Sequence, residues 1–171
     1  MTNLEQFLQE AKCLLVDDQE TNLDLLSRIL KRRGYCHIYQ TQDPTRVVPM
    51  VKTLAPDIIL LDLHMPEMDG FEVMAALRPV IPPTTFLPIL VLTADMRSES
   101  KQRALAEGAR DFLVKPFDPI EVALRVKNLL ETRMLYLDLS AQNAVLEQKV
   151  RERTKELEAA KQEILRLLTR W

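Results

Sequence analysis

The 171-residue sequence is sparing with the residues that cross-link or punctuate a chain: 2 Cys, 3 Gly, 2 His, 1 Trp, and 5% aromatics. Two cysteines make one bridge at most, so a disulfide framework is excluded. Cys13 and Cys36 each adjoin an apolar run, and both are expected to be reduced thiols serving as small core residues. With His37 and His64 they lack the spacing of a zinc site. No apolar run approaches the roughly 18 residues of a membrane span, and residues 1–12 lack the apolar core of a signal peptide. The expectation is a soluble, cytoplasmic chain with no membrane contact. Charge of one sign is missing too: 23 Lys+Arg stand against 25 Asp+Glu. No basic field draws the chain to nucleic acid. What is present is 47% hydrophobic and 28% charged residues, enough for one cored domain with an appendage and too apolar for a disordered chain.

Helix breakers divide the chain. All 10 Pro and all 3 Gly lie at or before Pro119, and the 52 residues from Ile120 to Trp171 contain neither. Residues 1–119 hold 13 Lys+Arg against 17 Asp+Glu, whereas 120–171 hold 10 against 8. An acidic globular part, 12–119, is followed by a last domain helix continuing into a charged helical segment, 120–171. Residues 1–11 form a separate extension, with Leu4, Phe7, Leu8 and Ala11 at helical spacing. That face fits either the domain or a partner.

Within 12–119, short Ile/Leu/Val runs at 13–18, 36–41, 57–63, 88–94 and 111–115 read as strands buried on both faces. Amphipathic stretches at 20–33, 44–54, 70–77 and 98–107 separate them, with Gly34 and Gly108 where helix C-caps belong. The Pro-rich 82–88 stretch reads as a long connection. Alternating β and α elements imply an α/β fold, a five-stranded doubly wound parallel sheet with helices on both faces. Such sheets bind ligands at the carboxyl ends of their strands. There the sequence places Asp17 and Asp18, then Asp62, Thr93 and Lys115. One Asp at a strand end is ordinarily a solvated loop residue or a helix cap. Three carboxylates, a hydroxyl and an ammonium on four strands have a joint chemistry. Clustered carboxylates stay ionised together when a cation sits among them, and oxygen ligands beside a phosphate suit Mg²⁺. A carboxylate can also accept a phosphoryl group as an aspartyl phosphate, whose oxygens then need cationic partners.

LLVDDQ, LLDLHMPEMDG, VLTA and ARDFLVKPF resemble the receiver domain of two-component response regulators over roughly 12–130. The resemblance implies a flavodoxin-like sheet of order 2-1-3-4-5 and a histidine kinase, including a hybrid sensor kinase, as phosphodonor. It makes Asp62 the phosphoacceptor, and Asp18, Asp17, Asp62 and the backbone carbonyl of His64 the Mg²⁺ site. Thr93 and Lys115 would contact the phosphoryl oxygens. Phe112 occupies the aromatic switch position, where it can move inward with Thr93 but cannot hydrogen-bond. The Lys115–Pro116 bond is expected to be cis.

The 120–171 segment fits a coiled-coil heptad. Tyr136, Asn143, Val150, Leu157, Ile164 and Trp171 fall at a, and Leu139, Leu146, Arg153, Ala160 and Leu167 at d; nine of these eleven are apolar or aromatic. Asn143 at an a position favours a parallel two-stranded coil in one register, and Glu156 (g) would pair with Lys161 (e) of the partner. A parallel homodimeric stalk is expected, since a lone helix of about 78 Å has no core of its own. NAVLEQKVRERTKELEAAKQEILRLL resembles the linker of response regulators carrying an HD-GYP cyclic-di-GMP phosphodiesterase domain, a group that includes a quorum-sensing regulator of pathogenicity factors. No HD pair, GYP motif or His follows residue 64, so the expectation is either an output domain outside these residues or a stand-alone receiver with a coiled-coil tail. The expected function is a non-enzymatic phosphoacceptor switch. The alternatives are a constitutive assembly module and an aspartyl-phosphate phosphatase, which would place an acid/base Asp where His64 stands.

Overall fold

A computed structural model describes residues 3–82, 84–94 and 98–169, and separates into two compact units, 1–134 and 135–171. In the first unit the elements run α1 (Asn3–Glu10), β1 (Lys12–Val16), α2 (Glu20–Arg32), β2 (His37–Thr41), a 3-10 turn (Pro44–Arg46), α3 (Val47–Leu54), β3 (Ile58–Asp62), α4 (Gly70–Leu77), β4 (Ile89–Thr93), α5 (Ser98–Glu107) and β5 (Asp111–Val114). Helix α6 (Pro119–Leu168) begins in this unit and supplies the described part of the second. The strands are all parallel and ordered β2-β1-β3-β4-β5, the expected flavodoxin-like arrangement.

Side chains alternate across a strand, so each buried strand feeds two cores. Cys13, Leu15, Ile58, Leu60, Leu90 and Leu92 join α2 and the start of α6 through Leu26, Leu30, Val126 and Leu130. Leu14, Val16, Ile59, Leu61, Ile89 and Val91 face the other way, with Val47, Val73, Met74 and Leu77 of α3 and α4. Gly34 (φ +91°) and Gly108 (φ +115°) take the left-handed conformation just after α2 and α5, as caps do. The extension resolves onto the domain: Phe7 and Leu8 of α1 pack against the core that holds Tyr35, Val126 and Leu130.

Three expectations need correction. The runs at 36–41 and 111–115 are not buried on both faces: β2 pairs only with β1 and β5 only with β4, four of the five β2 residues are exposed or half-exposed, and three of the four β5 residues are half-exposed. An edge strand has one neighbour, and its apolar content does not reveal that position. For the same reason Cys36 is exposed rather than a core residue, while the adjacent Tyr35 turns into the core. The stretch 44–54 is not one helix. Asp43 caps the short Pro44–Arg46 turn through Thr45 N–H (2.9 Å), and α3 starts after it, with Pro49 tolerated in its first turn.

In the second unit every described residue from Leu137 to Thr169 is exposed. The heptad positions Leu139, Leu146, Val150, Leu157, Ile164 and Leu167 are all more than half exposed, and Asn143 lies on the same helix. Glu156 pairs within its own helix, accepting from Arg153 Nη1 at 2.9 Å. Trp171 lies outside the described residues.

Candidate functional site

Parallel pairing brings the expected residues to one edge of the sheet. Asp62 ends β3, Thr93 ends β4, Asp17 and Asp18 follow β1 directly, and Lys115 follows β5. The Lys115–Pro116 bond is cis. Asp17, Asp62 and Thr93 are buried, with residue exposures of 0%, 2% and 1%.

Lys115 is the hub. Its Nζ lies 2.8 Å from Asp17 Oδ2 and 3.1 Å from Asp62 Oδ1. The two carboxylates are nevertheless held differently. Asp17 accepts from Gln19 N–H (2.9 Å), from the Asn22 amide on both oxygens (3.1 and 3.0 Å) and from Lys115. The Lys115 contact to Asp62 Oδ1 lacks hydrogen-bond alignment, which leaves that buried atom, like Asp18 Oδ1, without a hydrogen-bond partner. Burial pushes the Asp62 carboxyl above its ordinary 3.8. Lys115 opposes that rise, and the Asp17 charge adds to it. Buried polar atoms are normally paired; Asp18 Oδ1 has no hydrogen-bond partner and Asp62 Oδ1 has only the Lys115 ion pair, a donor set with room for a cation.

One oxygen from each of Asp17, Asp18 and Asp62 falls within 4.8 Å of the others. Oxygen donors with partly open access suit Mg²⁺, so the residues present fit that ion. His64 is exposed, and its side chain is not among this carboxylate cluster.

Phe112 sits half-buried in β5 against the second core, with Lys101 Nζ 4.7 Å from its ring centre. Arg125 of α6 is forked between Asp111 (2.7 Å to each oxygen) and Glu121 (2.7 and 2.9 Å), 6.0 Å from the same ring. The switch position is therefore tied to α5 and α6 by cations.

Four features escaped the sequence. Asn22 gives its amide to Asp17, and its only signal was a polar residue in the first turn of α2. Gly70 opens α4 so close to β3 that a Cβ there would lie 2.5 Å from the Asp62 carbonyl oxygen and 2.9 Å from Leu63 Cα. Asp69 and Glu72 fix that helix start with a reciprocal capping box, a pattern readable as D-x-x-E. Arg133 is a buried cation of α6 that donates to the Phe86 carbonyl and lies 3.7 Å from Asp57, so the 82–88 connection is anchored.

Among described helices none is long and apolar enough to cross a membrane. The family profile described as response regulator receiver domain matches residues 13–127. The chain is 40% identical over 119 residues to the alkaline phosphatase synthesis transcriptional regulatory protein PhoP of Bacillus subtilis, covering 70% of this chain and 48% of that protein. It is 36% identical over 134 residues to the response regulator PleD of Caulobacter vibrioides, covering 78% and 29%. The solved chemotaxis response regulator CheY4 of Vibrio cholerae superposes with a TM-score of 0.64 at 34% identity, covering 70% of this chain and 98% of that one. The chain thus spans about half the length, or less, of the curated relatives compared here. With the sheet order, the edge of carboxylates and the profile in agreement, the chain belongs to the response regulator receiver domain family.

Proposed function

We propose that this chain is a phosphoacceptor switch: Asp62 takes a phosphoryl group from a histidine kinase, and α6 carries the resulting change to an output domain. Receiver domains of response regulators are phosphorylated by histidine kinases, and the family assignment brings that donor class here. The carrying observation is the unequal treatment of two adjacent buried carboxylates. Asp17 is fully hydrogen-bonded, whereas Asp62 Oδ1 has only the Lys115 ion pair and its carboxyl has a raised pKa.

Asp18 and Asp62, with Asp17 behind them, would hold Mg²⁺, which supplies charge neutralisation for the phosphoryl oxygens. Chemically, an oxygen of the Asp62 carboxylate forms a bond to phosphorus as the bond from phosphorus to the donor nitrogen breaks. The leaving imidazole keeps that electron pair. Lys115 and the Thr93 hydroxyl receive the transferred oxygens, and Thr93 moving toward them opens the space that Phe112 fills. The chain is a switch rather than an enzyme, with at most loss of its own phosphate by hydrolysis.

The stalk reading rests on the exposed apolar row Leu139, Leu146, Val150, Leu157, Ile164 and Leu167, which suits a second copy of the same helix in parallel. The KVRERTKELE segment favours an HD-GYP cyclic-di-GMP phosphodiesterase as the output of the parent protein. The test is intact mass after incubation with Mg²⁺ and acetyl phosphate, beside Asp62→Asn. A single adduct that requires both Mg²⁺ and Asp62 supports the reading; no adduct with this donor or with a phosphorylated kinase overturns it.

A further inference from the structure

Asp17 has no spare acceptor capacity. Its Oδ1 takes Gln19 N–H and the Asn22 amide, and its Oδ2 takes Lys115 Nζ and the same amide. A carboxylate has about four lone-pair sites, and four contacts fill them. Asp18 Oδ1, by contrast, is buried with no hydrogen-bond partner, and Asp62 Oδ1 has only the Lys115 ion pair. Asn22 supplies two of the four contacts to Asp17 and is the one side-chain amide that donates to it. It stands in the first turn of α2, with Gln19 Oε1 3.4 Å from its nitrogen to steady the amide plane.

We propose that Asn22 is a positioning residue of the phosphoacceptor site. It occupies one lone pair on each oxygen of Asp17, so that Asp17 serves Lys115 and the divalent cation takes its direct side-chain ligands from Asp18 and Asp62. The amide thereby does two things at once. It withholds a third carboxylate from the ion, and it fixes the Asp17 oxygen that aims Lys115 toward Asp62. Without the amide, Asp17 is free to turn to the cation. The ion is then held more tightly, and Lys115 loses the anchor that keeps its ammonium 3.1 Å from the acceptor. Tighter metal and slower transfer are opposite signs from one substitution. A residue that merely stabilises the start of α2 cannot produce that pair. The cation half depends only on the carboxylates; the transfer half rests on the phosphoacceptor reading above.

The experiment compares the full-length chain with Asn22→Leu, which keeps bulk and removes the donor, and Asn22→Gln, which keeps an amide. Thermal unfolding across a Mg²⁺ titration gives the binding midpoint, and intact mass with acetyl phosphate at saturating Mg²⁺ gives the transfer rate. Expected for Asn22→Leu is a midpoint three- to tenfold lower, with a transfer rate lower by about tenfold, the scale of one charged hydrogen bond. Asn22→Gln should return part of both. An unchanged or raised midpoint in Asn22→Leu overturns the proposal, as does a lower midpoint with an unaltered rate. If the unsubstituted chain forms no adduct at all, the phosphoacceptor reading fails, and the midpoint alone still decides whether Asn22 restrains Asp17.

Discussion

Replacing Asp62 by Asn should make the metal-free protein more stable, although the residue is buried and central. Two unit charges with oxygens no more than 4.8 Å apart repel by at least about 3 kcal/mol at an effective dielectric of 20. Lys115 lies between Asp17 and Asp62 at 2.8 and 3.1 Å and cancels much of that term for this pair. The loss of solvation at Asp62 Oδ1 is not cancelled, because that atom has no aligned donor. A net cost of about 1–2 kcal/mol for the ionised side chain follows, equivalent to a Tm rise of roughly 3–8 °C in Asp62→Asn for a unit of this size. The pH dependence has a definite sign. The folded-state pKa of Asp62 is raised above its ordinary 3.8, first by burial, so folding favours the protonated form. Below 3.8 the wild-type carboxyl is neutral in both states and the two proteins should melt together. As pH rises from 3.8 through the folded-state value the wild type loses stability, and the gap is complete above that value. Differential scanning calorimetry in EDTA at several pH values between about 3 and 8 checks this. Millimolar Mg²⁺ should then close the gap from the wild-type side, by about 1.4 kcal/mol at ten times the Kd. An Asp62→Asn protein that melts at or below the wild type at pH 7 in EDTA would refute the claim that Asp62 is an electrostatically strained group.

Gly70→Ala places a methyl against the Asp62 carbonyl oxygen at 2.5 Å and should cost about 1–3 kcal/mol in urea unfolding while also slowing adduct formation. Arg133→Ala frees the Phe86 carbonyl and removes the cation beside Asp57; a loss of about 1–3 kcal/mol is expected, with faster amide hydrogen exchange through 82–88 and 126–134. Cys36 is exposed while Cys13 is buried with its thiol pushed up to about 12, so a native chain should titrate one thiol rapidly with an aromatic disulfide reagent and two after unfolding. Equal reactivity of both thiols in the native protein would contradict the placement of β1 and β2. If the proposed parallel dimer forms, Asn143→Leu should tighten it and let other registers or stoichiometries form, which sedimentation velocity resolves; an unaltered monomer in both proteins removes the proposed stalk.

Much of this fold was legible because buried parallel strands announce themselves. CLLV, IILLD and ILVLT are apolar runs, and each ends at or directly before a residue of the site. The polar residues that close those runs could be read as a group for the same reason: a strand that stops on Asp or Thr delivers it to the sheet edge. The β2 run failed that logic. HIYQT has the apolar content of a strand but only one neighbour, and nothing within five residues reports how many partners a strand will have. Cys36 was misplaced along with it.

Asn22, Gly70 and Arg133 were illegible for a different reason. Their roles are set by distance to residues far away in the chain or across a turn, not by any period. Asn22 reads as an ordinary polar residue in a first helical turn until Asp17 is seen within 3.1 Å of its amide. Arg133 belongs to the same charged, breaker-free stretch as the stalk, and the sequence offers no mark separating it from Arg151 or Arg153. Yet it is buried against β3 and the 82–88 connection, whereas those two are exposed. The composition change at Pro119 therefore marks where the helix begins, while the last residue of the domain's core on that helix lies some four turns further on, at Arg133.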